Sequence, residues 1–142
     1  MKTIQILRAA VAMLAIAALG ACSGDEITTP EQAGHATVEN AALYSSAGAV
    51  IPELVLTRGQ TTRVEVRFLD HDGARVTGLE TEHDAALTFT PAGLATATPV
   101  SGQKFMFDVA AQAAGSGTVA VGYGHHGATS EKSFGPFAVT VR

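Results

Sequence analysis

The chain has 142 residues, with 9 Lys and Arg against 13 Asp and Glu, a single cysteine and no tryptophan. That length suits one compact domain, and the acidic balance repels polyanions, so nucleic acid is excluded as a partner. A lone cysteine also excludes a disulfide within the chain.

From the N-terminus, Lys2 and Arg8 precede an uncharged run, Ala9 to Ala21, that is 13 residues long. A helix needs roughly 20 apolar residues to span a bilayer, so the run reads as a cleavable signal segment and not as a permanent anchor. It ends in Leu19-Gly20-Ala21-Cys22, an aliphatic residue, two small ones and a cysteine, which resembles the lipobox of bacterial lipoproteins. The resemblance implies diacylglycerol transfer to the Cys22 thiol, cleavage before Cys22, and acylation of the new amine with a fatty acid such as palmitate. Each buried methylene contributes about 0.8 kcal/mol, so two or three acyl chains hold a small domain on a membrane effectively permanently. A residue other than Asp after the cysteine, here Ser23, resembles an outer-membrane sorting signal. The expected address is therefore the cell envelope, lipid-anchored, with the outer membrane favoured over the inner. Loss of residues 1–21 would remove Lys2 and Arg8 and leave seven basic against 13 acidic side chains.

Residues 22–49 are rich in Gly, Ser, Thr, Glu, Ala and Pro, and read mainly as a lipid-anchored flexible tether, with residues 38–44 as an extra strand or a short helix. After Val50 the pattern changes to short alternating segments. The clearest is Thr62 to Phe68, where Val64, Val66 and Phe68 face one way and Arg63, Glu65 and Arg67 the other. The same period marks strands at about 52–57, 61–69, 86–90, 94–99, 104–111, 117–124 and 136–142. Turn residues separate them, among them Asp72-Gly73 and Gly115-Ser116-Gly117. Seven short strands at this spacing predict an all-β domain, a seven-stranded antiparallel sandwich over residues 50–142.

Several segments resemble bacterial immunoglobulin-like (Ig-like) domains. They are Leu56-Thr57-Arg58-Gly59-Gln60-Thr61, Val64-Glu65-Val66 with Asp70-His71-Asp72-Gly73, Ala114 to Val121, and the closing Val139-Thr140-Val141. What the resemblance implies is a fold, since Ig-like sandwiches carry many unrelated tasks.

The chain holds no phosphate-binding glycine loop, no Gly-x-Ser-x-Gly elbow and no HExxH, so an enzyme is not expected. Histidines carry the remaining signal. His71 and His83 fall between the second and third predicted strands, and His125 and His126 between the last two. In an Ig-like sandwich those connections share one end, which would gather four histidines beside Asp70, Asp72 and Asp84. Imidazoles are ligands for zinc, copper or nickel, and neighbouring carboxylates orient the rings. The set His71, His83, His125 and His126 is thus a candidate zinc or copper site, with Asp70, Asp72 and Asp84 as orienting carboxylates. Solvated loop residues are the competing reading, and a calcium loop at Asp70-Asp72-Gly73 lacks the acid that would complete its spacing. Arg63, Arg67 and Asp108 read as solvated strand faces and cross-strand ion pairs.

Two functions follow as expectations. One is a lipid-anchored envelope binding module that takes a transition metal at its rim. The alternative is a structural or adhesion-type Ig-like domain that contacts another envelope protein without metal.

Overall fold

A computed structural model describes residues 37–125 and 127–142. The signal segment, Cys22, the first part of the tether and His126 lie outside the described residues. None of the described helices is long and apolar enough to cross a membrane.

Among the described residues, eight strands form two four-stranded sheets. Strands β1 (Asn40–Ser45), β3 (Thr61–Leu69), β6 (Met106–Ala111) and β5 (Ala95–Pro99) lie side by side in that order in one sheet. The other runs β2 (Glu53–Leu56), β8 (Lys132–Val141), β7 (Gly115–His125) and β4 (His83–Thr90). All pairings are antiparallel except that of β2 with β8, which is parallel. The expected sandwich is present, with one strand more than seven and one parallel ladder.

The alternation in β3 places Val64, Val66 and Phe68 in the core, at 0 to 1% exposure, and leaves the arginines outside. There Arg63 makes a two-pronged ion pair with Asp108, directly across the ladder on β6, at 2.8 and 2.9 Å. Arg67 bonds Glu65 at 2.7 Å and lies over the Tyr44 ring, 4.0 Å from its centroid. From the facing sheet come Leu54, Leu56, Val119, Val121 and Val139, all buried. Burial of such side chains at roughly 1.5–3 kcal/mol each is what holds the two sheets together.

The extra strand corrects the boundary drawn at residue 49. Residues 40–45 belong to the sandwich: Asn40 pairs with Leu69 and Ser45 with Val64, and Ala41 and Leu43 enter the core. With only two apolar residues on its inner side, β1 owes its form to the neighbour it completes. Strand β4 also starts earlier than expected, at His83 instead of residue 86. Phe105, by contrast, stands outside β6, at φ 64°, although its ring is buried. An L-residue in that left-handed region costs roughly 1–2 kcal/mol, offset here by the ring's edge-to-face contact with Phe68, centroids 5.1 Å apart.

Candidate functional site

One end of the sandwich is built by the start of β4, the end of β7 and the start of β8. The ladder between β4 and β7 sets His83 directly opposite His125. Residues in direct register put their side chains on the same face of a sheet, so both rings lie on the inner face where the core meets water. Their centroids are 4.0 Å apart with the planes at 47°. His83 is 4% exposed and stacks on Tyr123, centroids 4.8 Å apart and planes within 9° of parallel. Tyr123 in turn packs on Phe68 at 4.6 Å, so the His83 ring rests on the hydrophobic core itself. Burial pushes the Tyr123 hydroxyl up to about 12, with a smaller contribution from the Glu131 carboxylate.

Glu131 fixes the second ring. Its Oε2 lies 2.9 Å from His125 Nδ1, and its Oε1 accepts the His125 backbone N–H at 3.2 Å. The ring hydrogen bond, reinforced by the backbone one, holds the Glu131 carboxyl below the ordinary 4.5. Because the folded value is lowered, this pair contributes stability above the ordinary glutamate range and loses it as pH falls through the folded value. Carboxyl-carbon NMR is expected to show Glu131 titrating below 4.5 in the native chain and shifted back toward the ordinary range in His125→Ala, which keeps only the backbone donor. An unshifted Glu131 in the native chain would contradict the contact.

The two rings, Tyr123, Glu131, Leu79 and Lys132 line a cavity of about 300 Å³. Lys132 Nζ donates to the Val38 carbonyl at 2.8 Å. A second cavity of about 360 Å³ lies beside β4, lined by Val100, Phe105 and Phe107 and by the Lys104–Asp84 ion pair.

Among the described residues, His71 does not join His83 and His125 in one cluster of metal-ligand side chains. His71 sits on a tight turn, because Leu69 bridges to Arg75 immediately after β3. Asp70 Oδ1 accepts the N–H groups of Asp72 and Ala74 at 3.0 and 2.9 Å and so closes that turn. The only cluster of three or more metal-ligand side chains among the described residues is Asp70, His71 and Asp72. His71 and Asp72 are 70 and 75% exposed, their side chains 3.1 Å apart. Asp70 and Asp72 thus serve the turn and neighbour His71, away from the paired rings. Asp84 also has partners of its own among the described residues. Successive strand residues face opposite sides, and its carboxylate bonds Lys104 Nζ at 2.8 Å and the Gly127 N–H at 2.6 Å. Lys104 reaches the His83 carbonyl as well, at 3.1 Å, tying the start of β4 to the β5–β6 connection. His126 lies outside the described residues. Two residues of the cavity escape a reading of the sequence, Glu131 as the carboxylate that holds His125 and Tyr123 as the platform under His83. Glu131 is the only acid in the stretch from Gly124 to Pro136 and follows His125 by six positions, which is the one signal available.

No protein-family model matches this chain, and no curated protein does. Among solved structures, it is similar to domains 5-6 of the S-layer protein SbsC, with 22% identity and a TM-score of 0.50 over 75% of this chain and 44% of that one. A larger fragment, SbsC domains 4-9, gives 20% identity and a TM-score of 0.50 over 75% of this chain and 14% of that one. The filamin domain of Lin-41 is 15% identical with a TM-score of 0.44, over 75% of this chain and 95% of that one. The chain spans about half, or less, of the S-layer fragments it matches. At such identities the likeness shows the fold, an Ig-like β-sandwich.

Proposed function

We propose that this chain is a lipid-anchored, non-enzymatic module of the bacterial cell envelope, in which the Ig-like sandwich is a structural or adhesion-type domain that contacts another envelope protein. The observation that carries the reading is Leu19-Gly20-Ala21-Cys22 at the end of the short apolar run. An anchored module of this kind would stand on the outer membrane in preference to the inner one. The likeness in fold to S-layer domains supports a scaffold role. So does the absence of any catalytic motif from the sequence.

The test is metabolic labelling with a fatty acid, followed by fractionation of the envelope. The native chain is expected to carry the label and to sediment with membranes. Cys22→Ala is expected to lose the label completely and to keep its signal segment. An unlabelled native chain recovered in the soluble fraction would overturn the reading.

A further inference from the structure

We propose that His83 and His125 form a two-histidine site for a divalent transition metal, zinc, copper or nickel, at the open end of the sandwich, with Glu131 positioning His125. The inference goes beyond the structural reading and does not depend on the anchor.

Three observations carry it. The β4–β7 ladder holds the two rings directly opposite each other, so their backbones are already placed without a ligand. His125 Nδ1 is committed to the Glu131 carboxylate, which makes Nδ1 the protonated nitrogen and puts the ring lone pair on Nε2. A carboxylate on the far nitrogen is the usual support of a metal-bound histidine, because it fixes the tautomer and raises the basicity of the ligand. Finally, the adjoining cavity of about 300 Å³ has room for an ion and its remaining ligands.

Magnitudes decide what kind of site this is. Two nitrogens at about 2.0–2.1 Å from one ion in tetrahedral geometry put the ring centroids roughly 5 Å apart. The observed 4.0 Å must therefore widen by about 1 Å. His83 is 4% exposed and stacked on Tyr123, so the movement falls to His125, whose side chain is 47% exposed. Both Glu131 oxygens are engaged by His125, so the ligands that the described residues offer at this place are the two rings. Nitrogen ligands select zinc, copper and nickel over calcium and magnesium. The Asp70-His71-Asp72 cluster is the poorer candidate, since Asp70 Oδ1 already accepts two backbone N–H groups and its partners stand in water.

The test is calorimetric titration of the full-length chain in detergent with zinc and with copper, alongside His125→Ala, Glu131→Gln and His71→Ala. One ion per chain is expected, with affinity at least tenfold weaker in His125→Ala, about tenfold weaker in Glu131→Gln, and unchanged in His71→Ala. Because His125 is exposed, its variant should fold, which circular dichroism checks. The copper-loaded native chain should show two nitrogen ligands by electron paramagnetic resonance. Absence of saturable binding, affinity undiminished in His125→Ala, or binding lost in His71→Ala would each overturn the proposal. Fatty-acid labelling at Cys22 would be unaffected by any of these results, so the two readings fail separately.

Discussion

Phe68→Ala is expected to destabilise the sandwich by about 3–5 kcal/mol, measured as a lowered midpoint in urea unfolding with little change in slope. The ring is 1% exposed and is the largest of the fully buried side chains. It is also the point where the sheets meet: it projects from β3 onto Tyr123 at 4.6 Å and Phe134 at 6.0 Å in the facing sheet, and onto Phe105 at 5.1 Å. Truncation leaves a void lined by three aromatic rings that are each held by their own strand or turn, so the site collapses poorly. Domains of this size have roughly 5–15 kcal/mol in total, and the variant should sit close to its unfolding threshold. Loss of Phe68 also removes one wall from Tyr123, on which His83 stacks. Fraying at the start of β4, seen as faster amide exchange at Asp84 and Ala85, is expected before global unfolding. A cost below 1 kcal/mol would mean that the two sheets do not close on this ring.

How legible was all this in the residues? The two-residue period of Val64, Val66 and Phe68 is a direct physical signal, because only a strand puts those three on one face and Arg63, Glu65 and Arg67 on the other. Strand β1 carries no comparable signal. Its two buried residues, Ala41 and Leu43, read as sparse hydrophobics in a polar stretch, and what orders them is β3, some twenty residues away in sequence. The site divides in the same way. Pairing of His83 with His125 follows from strand order, and the residues name it once β4 is extended to its true start. Asp84-Ala85-Ala86 has weak strand propensity, and the ladder to β7 overrides it. The grouping of His71 with them fails for a local reason: Asp70 closes a turn through its own side chain, which keeps His71 at the tip. Glu131 is beyond reach of pattern reading because its role depends on a backbone path and not on a period.

That path is tested most sharply by Gly122→Ala. A Cβ at Gly122 would collide with the carbonyl oxygen of Thr129 and approach its carbonyl carbon to 3.2 Å. Two residues on, a Cβ at Gly124 would meet the carbonyl oxygen of Ala128 at 2.5 Å. Both glycines have ordinary strand backbones, so the need is for space and not for an unusual φ. Chain leaving β7 folds back across the outer face of the strand it has just left, and glycine at alternate positions is what lets the two backbones touch. A backbone carbonyl cannot yield as a side-chain end can. The alanine variant must therefore either strain β7 or lift residues 127–131 away, at about 1–3 kcal/mol or more. Lifting the segment is the expected outcome, because it surrenders exposed hydrogen bonds and leaves the core intact. It would carry Glu131 away from His125. Gly122→Ala should then combine three readouts: a lowered melting temperature, a Glu131 carboxyl that titrates in the ordinary range, and metal affinity weakened as much as in Glu131→Gln. A variant with native stability and a native Glu131 titration would show that residues 128–131 do not lie on β7. With the return path wrong, the Glu131–His125 contact would lose its structural basis. If stability falls while Glu131 stays shifted, the strain resides in β7 alone and the His83–His125 pair keeps its positioning carboxylate.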